Sequence, residues 1–88
     1  MYQLVPTTQF KRRLKVFIRK HPELTSVIEQ RLEALRRNPT NPKLVTHKLT
    51  GKLKGKLALS ITYHYRLAFQ IDGRLVYLLS IGTHDEVY

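Results

Sequence analysis

Apolar side chains recur at helical intervals through the first half of this chain and at every second position through much of the second half. From Gln9 to His21, Phe10, Leu14, Phe17 and Ile18 fall on one helical face, while Lys11, Arg12, Arg13, Lys15, Arg19 and Lys20 fill the remainder. The preceding run from Tyr2 to Val5 reads as a short strand closed by Pro6, and the hydroxyl of Thr7 or Thr8 is placed to cap the helix. Pro22 either ends this helix or opens the next at its first turn. Leu24, Val27, Ile28, Leu32 and Leu35 continue the helical period to Arg37, and Asn38-Pro39-Thr40-Asn41-Pro42 stops it. Two helices joined at a proline, each with one apolar stripe, predict an antiparallel hairpin that covers a sheet.

The sheet is predicted from Leu57, Leu59, Ile61, Tyr63, Tyr65, Leu67, Phe69 and Ile71, which alternate with mostly small or polar residues. An interruption near Thr62 to His64 divides this run into two strands, and Asp72-Gly73 signals a turn before a third, from about Leu75 to Ile81. A two-residue turn there pairs Ile71 with Arg74, whereas a three-residue loop pairs it with Leu75; the pattern leaves both open. The element order is β-α-α-β-β-β, an α+β fold in one domain spanning residues 1–88, with the helical hairpin on one face of a small, mostly antiparallel sheet. With the odd-numbered apolar residues under the helices, Ser60, Thr62, His64 and Arg66 are expected on an open, polar face.

Charge narrows the function. In 88 residues there are 16 Lys plus Arg against 6 Asp plus Glu, a formal net charge of +10. With 42% hydrophobic residues the chain has an ordinary globular composition, so the excess charge belongs to its surface and points to an anionic partner. The length excludes a barrel of eight βα units and a dinucleotide domain with a separate substrate domain. Having no cysteine, the chain has no thiolate nucleophile, disulfide or Cys-based zinc site. The first ten residues lack the features of a signal peptide and no apolar stretch is long enough to span a membrane, so a soluble, cytoplasmic protein without membrane contact is expected.

The segment from His47 to Lys56 brings His47, Lys48, Lys52, Lys54 and Lys56 to the start of the sheet in a loop punctuated by Gly51 and Gly55. Ammonium groups and accessible backbone N–H groups suit phosphates, although the glycine spacing is not that of a P-loop. The cationic face of the first helix adds a second basic surface suited to an RNA backbone, while such faces are also commonly plain solvated surface. His21 is accounted for by its place at a helix C-terminus. His47, His64 and His84 fall in loops or at strand ends, and imidazole is the side chain best suited to move protons near neutral pH. Their separations of seventeen and twenty residues fit no common local metal motif, and no cofactor is expected.

Three segments, in this order, resemble the RelE/ParE superfamily of toxins from toxin-antitoxin pairs. The stretch from His47 to Gly55 looks like an H-x-L-x-G-x-x-K-G entry to the sheet, Tyr65-Arg66-Leu67-Ala68-Phe69 resembles a Y-R-L-x-Y/F strand, and Gly82-Thr83-His84-Asp85-Glu86-Val87-Tyr88 is similar to a G-[ST]-H-x-x-[VL]-[YF] ending. The His-containing ending is most similar to the YafQ-like branch of ribosome-dependent mRNA endonucleases. The resemblance implies a RelE-like fold and a metal-independent endoribonuclease that cleaves mRNA on the ribosome and is silenced by a cognate antitoxin. It also implies operator DNA as a possible further partner, bound through the toxin-antitoxin complex.

By the same resemblance, His47, Arg66, His84 and Tyr88 are candidate catalytic residues, with His84 the general acid and Arg66 neutralising the scissile phosphate; His64 joins them as a candidate base where the chain departs from the pattern. Lys48, Lys52, Lys54 and Lys56 are assigned to phosphates and Tyr65 to a base, on which it stacks or beneath which it packs. The chain has Ser60 where the YafQ-like pattern has a strand histidine and His64 where it has an aspartate, which leaves the general base to His64 or His47. With Tyr88 as its last residue, the C-terminal helix of some RelE-like members is expected to be absent. The alternatives within the superfamily are a ParE-like inhibitor of DNA gyrase and a degenerate toxin that only binds RNA or antitoxin.

Overall fold

The computed structural model describes residues 1–44, the backbone of 47–48, and residues 55–87. Strand β1 (Gln3–Pro6) leads into helix α1 (Thr8–Lys20), a single 3-10 turn at Pro22–Leu24 and helix α2 (Thr25–Arg37). Strands β2 (His47–Lys48), β3 (Leu57–Ser60), β4 (Tyr65–Asp72) and β5 (Leu75–Thr83) follow, and a one-turn helix α3 (His84–Val87) closes the chain. The α+β fold is as expected, with two additions to β-α-α-β-β-β: the short β2, and a helical turn within the tail.

Thr7 is the residue that caps α1: its Oγ1 accepts the Phe10 N–H at 3.2 Å and donates to the Leu78 carbonyl at 2.8 Å, fixing the helix start to the sheet. Pro22 belongs to neither long helix. It opens the 3-10 turn between them, where its missing N–H costs nothing. The sheet order is β1-β5-β4-β3-β2, with β1 parallel to β5 and every other neighbour antiparallel. Phe10 and Phe17 of α1 and Ile28 and Leu35 of α2 are buried against Leu59, Ile61, Leu67, Phe69, Val76, Leu78 and Ile81, so the two periodicities meet in one core. Each large side chain fully buried there stabilises the fold by roughly 1.5–3 kcal/mol.

Two expectations about the sheet are corrected, and a bulge is added. The hairpin turn is Gly73-Arg74, pairing Asp72 with Leu75 and Ile71 with Val76, which is neither anticipated register. Gly73 takes φ of 60°, a conformation that penalises a side chain and so draws the turn onto the glycine. A bulge then interrupts the β4–β5 ladder: Ala68 pairs with Ser80 and Phe69 with Leu78, leaving Leu79 as the extra residue. Finally, the face away from the α1–α2 hairpin is not open throughout. Ala58, Ala68, Ser80 and Gly82 are buried on it, and Val87 of α3 is buried too.

Candidate active site

The bend at residues 61–64 and the end of β5 lie side by side because β4 and β5 end their ladder on the Tyr65–Thr83 pair. His64 precedes that rung and His84 follows it. Together with Tyr63, Arg66, Thr83 and Asp85 they line an open cavity of about 350 Å³. Three of the five expected catalytic residues, His64, Arg66 and His84, are therefore brought into one site.

Arg66 shapes this site as well as lining it. Its Nη1 donates to the carbonyl oxygens of Thr62 at 2.8 Å, Tyr63 at 2.9 Å and Tyr65 at 3.3 Å, gathering the bend around the guanidinium. Its Nε–H is buried without an acceptor among the described residues. The bend is further closed by Ile61 N–H donating to the Tyr65 carbonyl at 2.9 Å and by His64 N–H donating to Thr62 Oγ1 at 3.3 Å. From the other layer, Arg31 Nε donates to the Ser60 carbonyl at 3.2 Å, tying α2 to the end of β3. The His64 ring meets the Tyr63 ring edge-on, with centroids 5.2 Å apart.

His84 is the first residue of α3, and its side chain is 60% exposed, with Nδ1 3.6 Å from Asp85 Oδ1. The start of α3 is set by a reciprocal pair of hydrogen bonds. Thr83 N–H donates to Glu86 Oε1 at 2.9 Å, and Glu86 N–H donates to Thr83 Oγ1 at 3.3 Å. These bonds hold the Glu86 carboxyl below the usual carboxylate range, with the nearby charges of Arg13 and Lys20 adding to the effect.

A second cavity of about 370 Å³ lies between α1 and the edge of β5. Because β1 pairs only with Leu75–Leu78, the later part of that edge is flanked by α1 instead. Arg12, Arg13 and Lys20 stand over an apolar wall that includes Val16 and Phe17. Tyr65 belongs here: its ring packs edge-on against Phe17 at 5.0 Å and lies 4.7 Å from His21, so it does not line the cavity of His64 and His84. Lys56 lines a third, smaller cavity with Glu86 and Val87. His47 and Lys48 form β2, pairing with Ala58 and Leu57. Lys52, Lys54 and Tyr88 lie outside the described residues.

The sequence reading missed Tyr63, an exposed aromatic with 86% of its surface accessible at the mouth of the first cavity. Its place in the alternating apolar run disguised it as a core residue. Thr83 and Glu86 were also missed, although a threonine followed three residues later by glutamate is a helix-start signature. Among the described residues, no group of three or more His, Cys, Asp or Glu converges as a metal site requires.

Residues 2–88 match the family described as bacterial toxin of type II toxin-antitoxin system, YafQ. YafQ from Escherichia coli strain BL21(DE3) is similar in structure, with a TM-score of 0.84 and 17% identity over 100% of this chain and 99% of that one. A metal-bound toxin from Helicobacter pylori has a TM-score of 0.83 and 23% identity, covering 100% of both chains. The E. coli DinJ-YafQ complex contains a chain with a TM-score of 0.80 and 20% identity, covering 100% of this chain and 99% of that one. At these identities the structural likeness is one of fold. No curated protein matches the sequence. The family match spans nearly the whole chain, and the protein belongs to the YafQ family of bacterial toxins of type II toxin-antitoxin systems.

Proposed function

We propose that this toxin is an endoribonuclease that cleaves mRNA positioned in the ribosome, using His64 and His84 as the proton-transfer pair and Arg66 as the phosphate clamp. The observation that carries the reading is the single cavity lined by all three side chains. In the proposed step, His64 takes the proton from a ribose 2′-hydroxyl, and that oxygen attacks the adjacent phosphorus. The bond to the 5′-oxygen breaks as His84 donates a proton to it, leaving a 2′,3′-cyclic phosphate and a 5′-hydroxyl. The guanidinium stabilises the charge that builds on the phosphate oxygens. Its Nη1 is committed to the bend carbonyls and its Nε is buried, so Nη2 is the nitrogen assigned to the phosphate.

This assigns the base to His64 rather than His47 and makes the histidine at position 64 the functional replacement for the strand histidine absent at Ser60. Lys48, Lys52, Lys54 and Lys56 are proposed to hold neighbouring RNA phosphates, with Tyr88 completing the site. The site is proposed to work without a metal, since proton transfer and phosphate neutralisation are both supplied by side chains. The proposed partners are mRNA, the ribosome and a cognate antitoxin that is acidic where it covers the basic surface, the toxin-antitoxin complex also binding operator DNA. The cytoplasm, where translation proceeds, is the proposed location.

The test is to induce the chain and its His84→Ala and His64→Ala variants in bacteria, following growth and mapping a reporter message by primer extension. Growth arrest with new 5′ ends inside translated message, both lost in the two variants, is the expected result. Continued cleavage by both variants refutes the site. Arrest with intact message moves the target to gyrase or another bound protein, and no arrest with the parent chain indicates a degenerate toxin.

A further inference from the structure

We infer that Glu86 is a positioning residue for His84, fixing the imidazole in the active-site cavity through its hydrogen bond to the Thr83 backbone. The inference rests on the proposed catalytic role of His84 and adds a residue that touches neither RNA nor the reacting atoms. A one-turn helix such as α3 is too short to hold itself, since nucleation fixes several dihedrals for a single hydrogen bond. Two anchors make up the deficit. Val87 is buried at the far end, and at the near end Thr83 and Glu86 exchange hydrogen bonds of 2.9 and 3.3 Å across His84 and Asp85. That closed ring contains the His84 backbone, so it fixes the direction in which the His84 Cα–Cβ bond leaves the chain.

Gly82 shows that room is reserved for this arrangement. A Cβ built on Gly82 would lie 2.9 Å from Glu86 Oε1 and 3.1 Å from Glu86 Cβ. Gly82 has no unusual backbone conformation, being an ordinary strand residue opposite Arg66. Its missing side chain is therefore explained by the carboxylate folded against it. On the outer side, the Arg13 and Lys20 charges across the groove favour the ionised form of Glu86 and hence its strength as an acceptor.

A glutamate that only capped the helix would affect stability and leave catalysis alone, so the test reads both. The purified chain and its Glu86→Ala, Glu86→Gln, Gly82→Ala and His84→Ala variants are compared on programmed ribosomes in single-turnover cleavage. Thermal unfolding is recorded for each, and the ¹H–¹⁵N resonances of the His84 ring for the parent and every variant that keeps His84. Misplacing a reacting group by about 1 Å can cost on the order of 100-fold, so Glu86→Ala is expected to slow cleavage by roughly 10- to 100-fold at saturating ribosomes. Half-saturation should stay within about twofold of the parent, because loss of positioning affects the bound complex rather than uniform binding. Gly82→Ala should reproduce the defect without altering either bonded residue, by displacing the carboxylate. Glu86→Gln keeps an oxygen acceptor for Thr83 N–H and should restore most of the rate. The His84 ring resonances should move in Glu86→Ala and Gly82→Ala and stay near the parent in Glu86→Gln.

Parental cleavage by Glu86→Ala overturns the inference, as does slow cleavage with unmoved His84 resonances. If Glu86→Gln is as slow as Glu86→Ala, the charge and not the hydrogen bond is acting, and the inference also fails. If His84→Ala itself cleaves at the parental rate, it is the catalytic reading that is refuted, and the ring resonances alone then decide whether Glu86 orients His84.

Discussion

Arg66 lets the structural and chemical roles of one residue be measured separately. Its Nη1 has two hydrogens and three carbonyl acceptors within 3.3 Å, so the two shorter contacts, to Thr62 and Tyr63, are counted as full bonds and the third as shared. At about 1.5–3 kcal/mol net for each bond to a charged group, these are worth roughly 3–6 kcal/mol when well shielded from water. Against this, the buried Nε–H, without an acceptor among the described residues, costs about 1–3 kcal/mol, a penalty that disappears with the side chain. One of the two carbonyls is in an exposed setting, which places the net near the low end, and Arg66→Ala is expected to destabilise the fold by about 2 kcal/mol. For a domain of this size that corresponds to a fall of roughly 8–16 °C in Tm.

Arg66→Lys should behave differently in the two assays. An ammonium can donate to the bend carbonyls and leaves no buried Nε–H, so Tm should stay within about 5 °C of the parent. It cannot hold the bend and present a second nitrogen to phosphate at a fixed angle, so cleavage should fall by about 10-fold or more. Differential scanning calorimetry and single-turnover cleavage on ribosomes test the pair. An Arg66→Ala variant that melts within about 2 °C of the parent refutes the stabilising role of the carbonyl contacts. An Arg66→Lys variant that cleaves at the parental rate refutes the phosphate role and leaves Arg66 only a structural part in the bend.

In the core, Phe69→Ala removes a fully buried ring beneath the helices and should cost about 3–5 kcal/mol, read as a shift in the urea midpoint with an unchanged m-value. Tyr63→Ser should leave Tm unchanged because the ring is exposed, yet weaken binding to single-stranded RNA if the ring stacks on a base, by about 1–3 kcal/mol in a fluorescence titration. The Arg36 and Arg37 guanidiniums hold the Glu33 carboxyl down to about 2, so its contribution is complete above the unfolded carboxylate range and is lost as pH falls through about 2. Glu86 acts in the same direction. Urea midpoints measured from pH 6 to pH 2 should therefore fall with pH, and Glu33→Gln should flatten that fall; an unchanged slope counts against the ion pair.

The helices were legible because their signal is local. Phe10 and Phe17, and Ile28 and Leu35, carry one face through nearest neighbours along the chain, and tertiary packing agrees with that face. The strands were legible in existence but not in pairing, since alternation says which residues share a side and nothing about their partners. The short α3 escaped for another reason. Its Thr83-x-x-Glu86 signature was present, but no helical apolar period can be read over four residues.

The proposed active site depends on the one quantity that alternation leaves undetermined. With the turn on Asp72-Gly73 and an unbroken ladder, Ile71 would pair with Arg74 and His64 would stand opposite Ile81, a core residue. A three-residue loop would place Gly82 there. The observed turn at Gly73-Arg74 moves the ladder further, and the extra residue at Leu79 moves it once more, so that Tyr65 meets Thr83 and the next position brings His64 beside His84. The glycine conformation at Gly73 and the bulge each shift the register without changing which residues are apolar. Two histidines twenty residues apart thus become neighbours through backbone geometry that no motif spacing encodes, and the same bulge that spends a residue on Leu79 sets where the proposed proton-transfer pair meets.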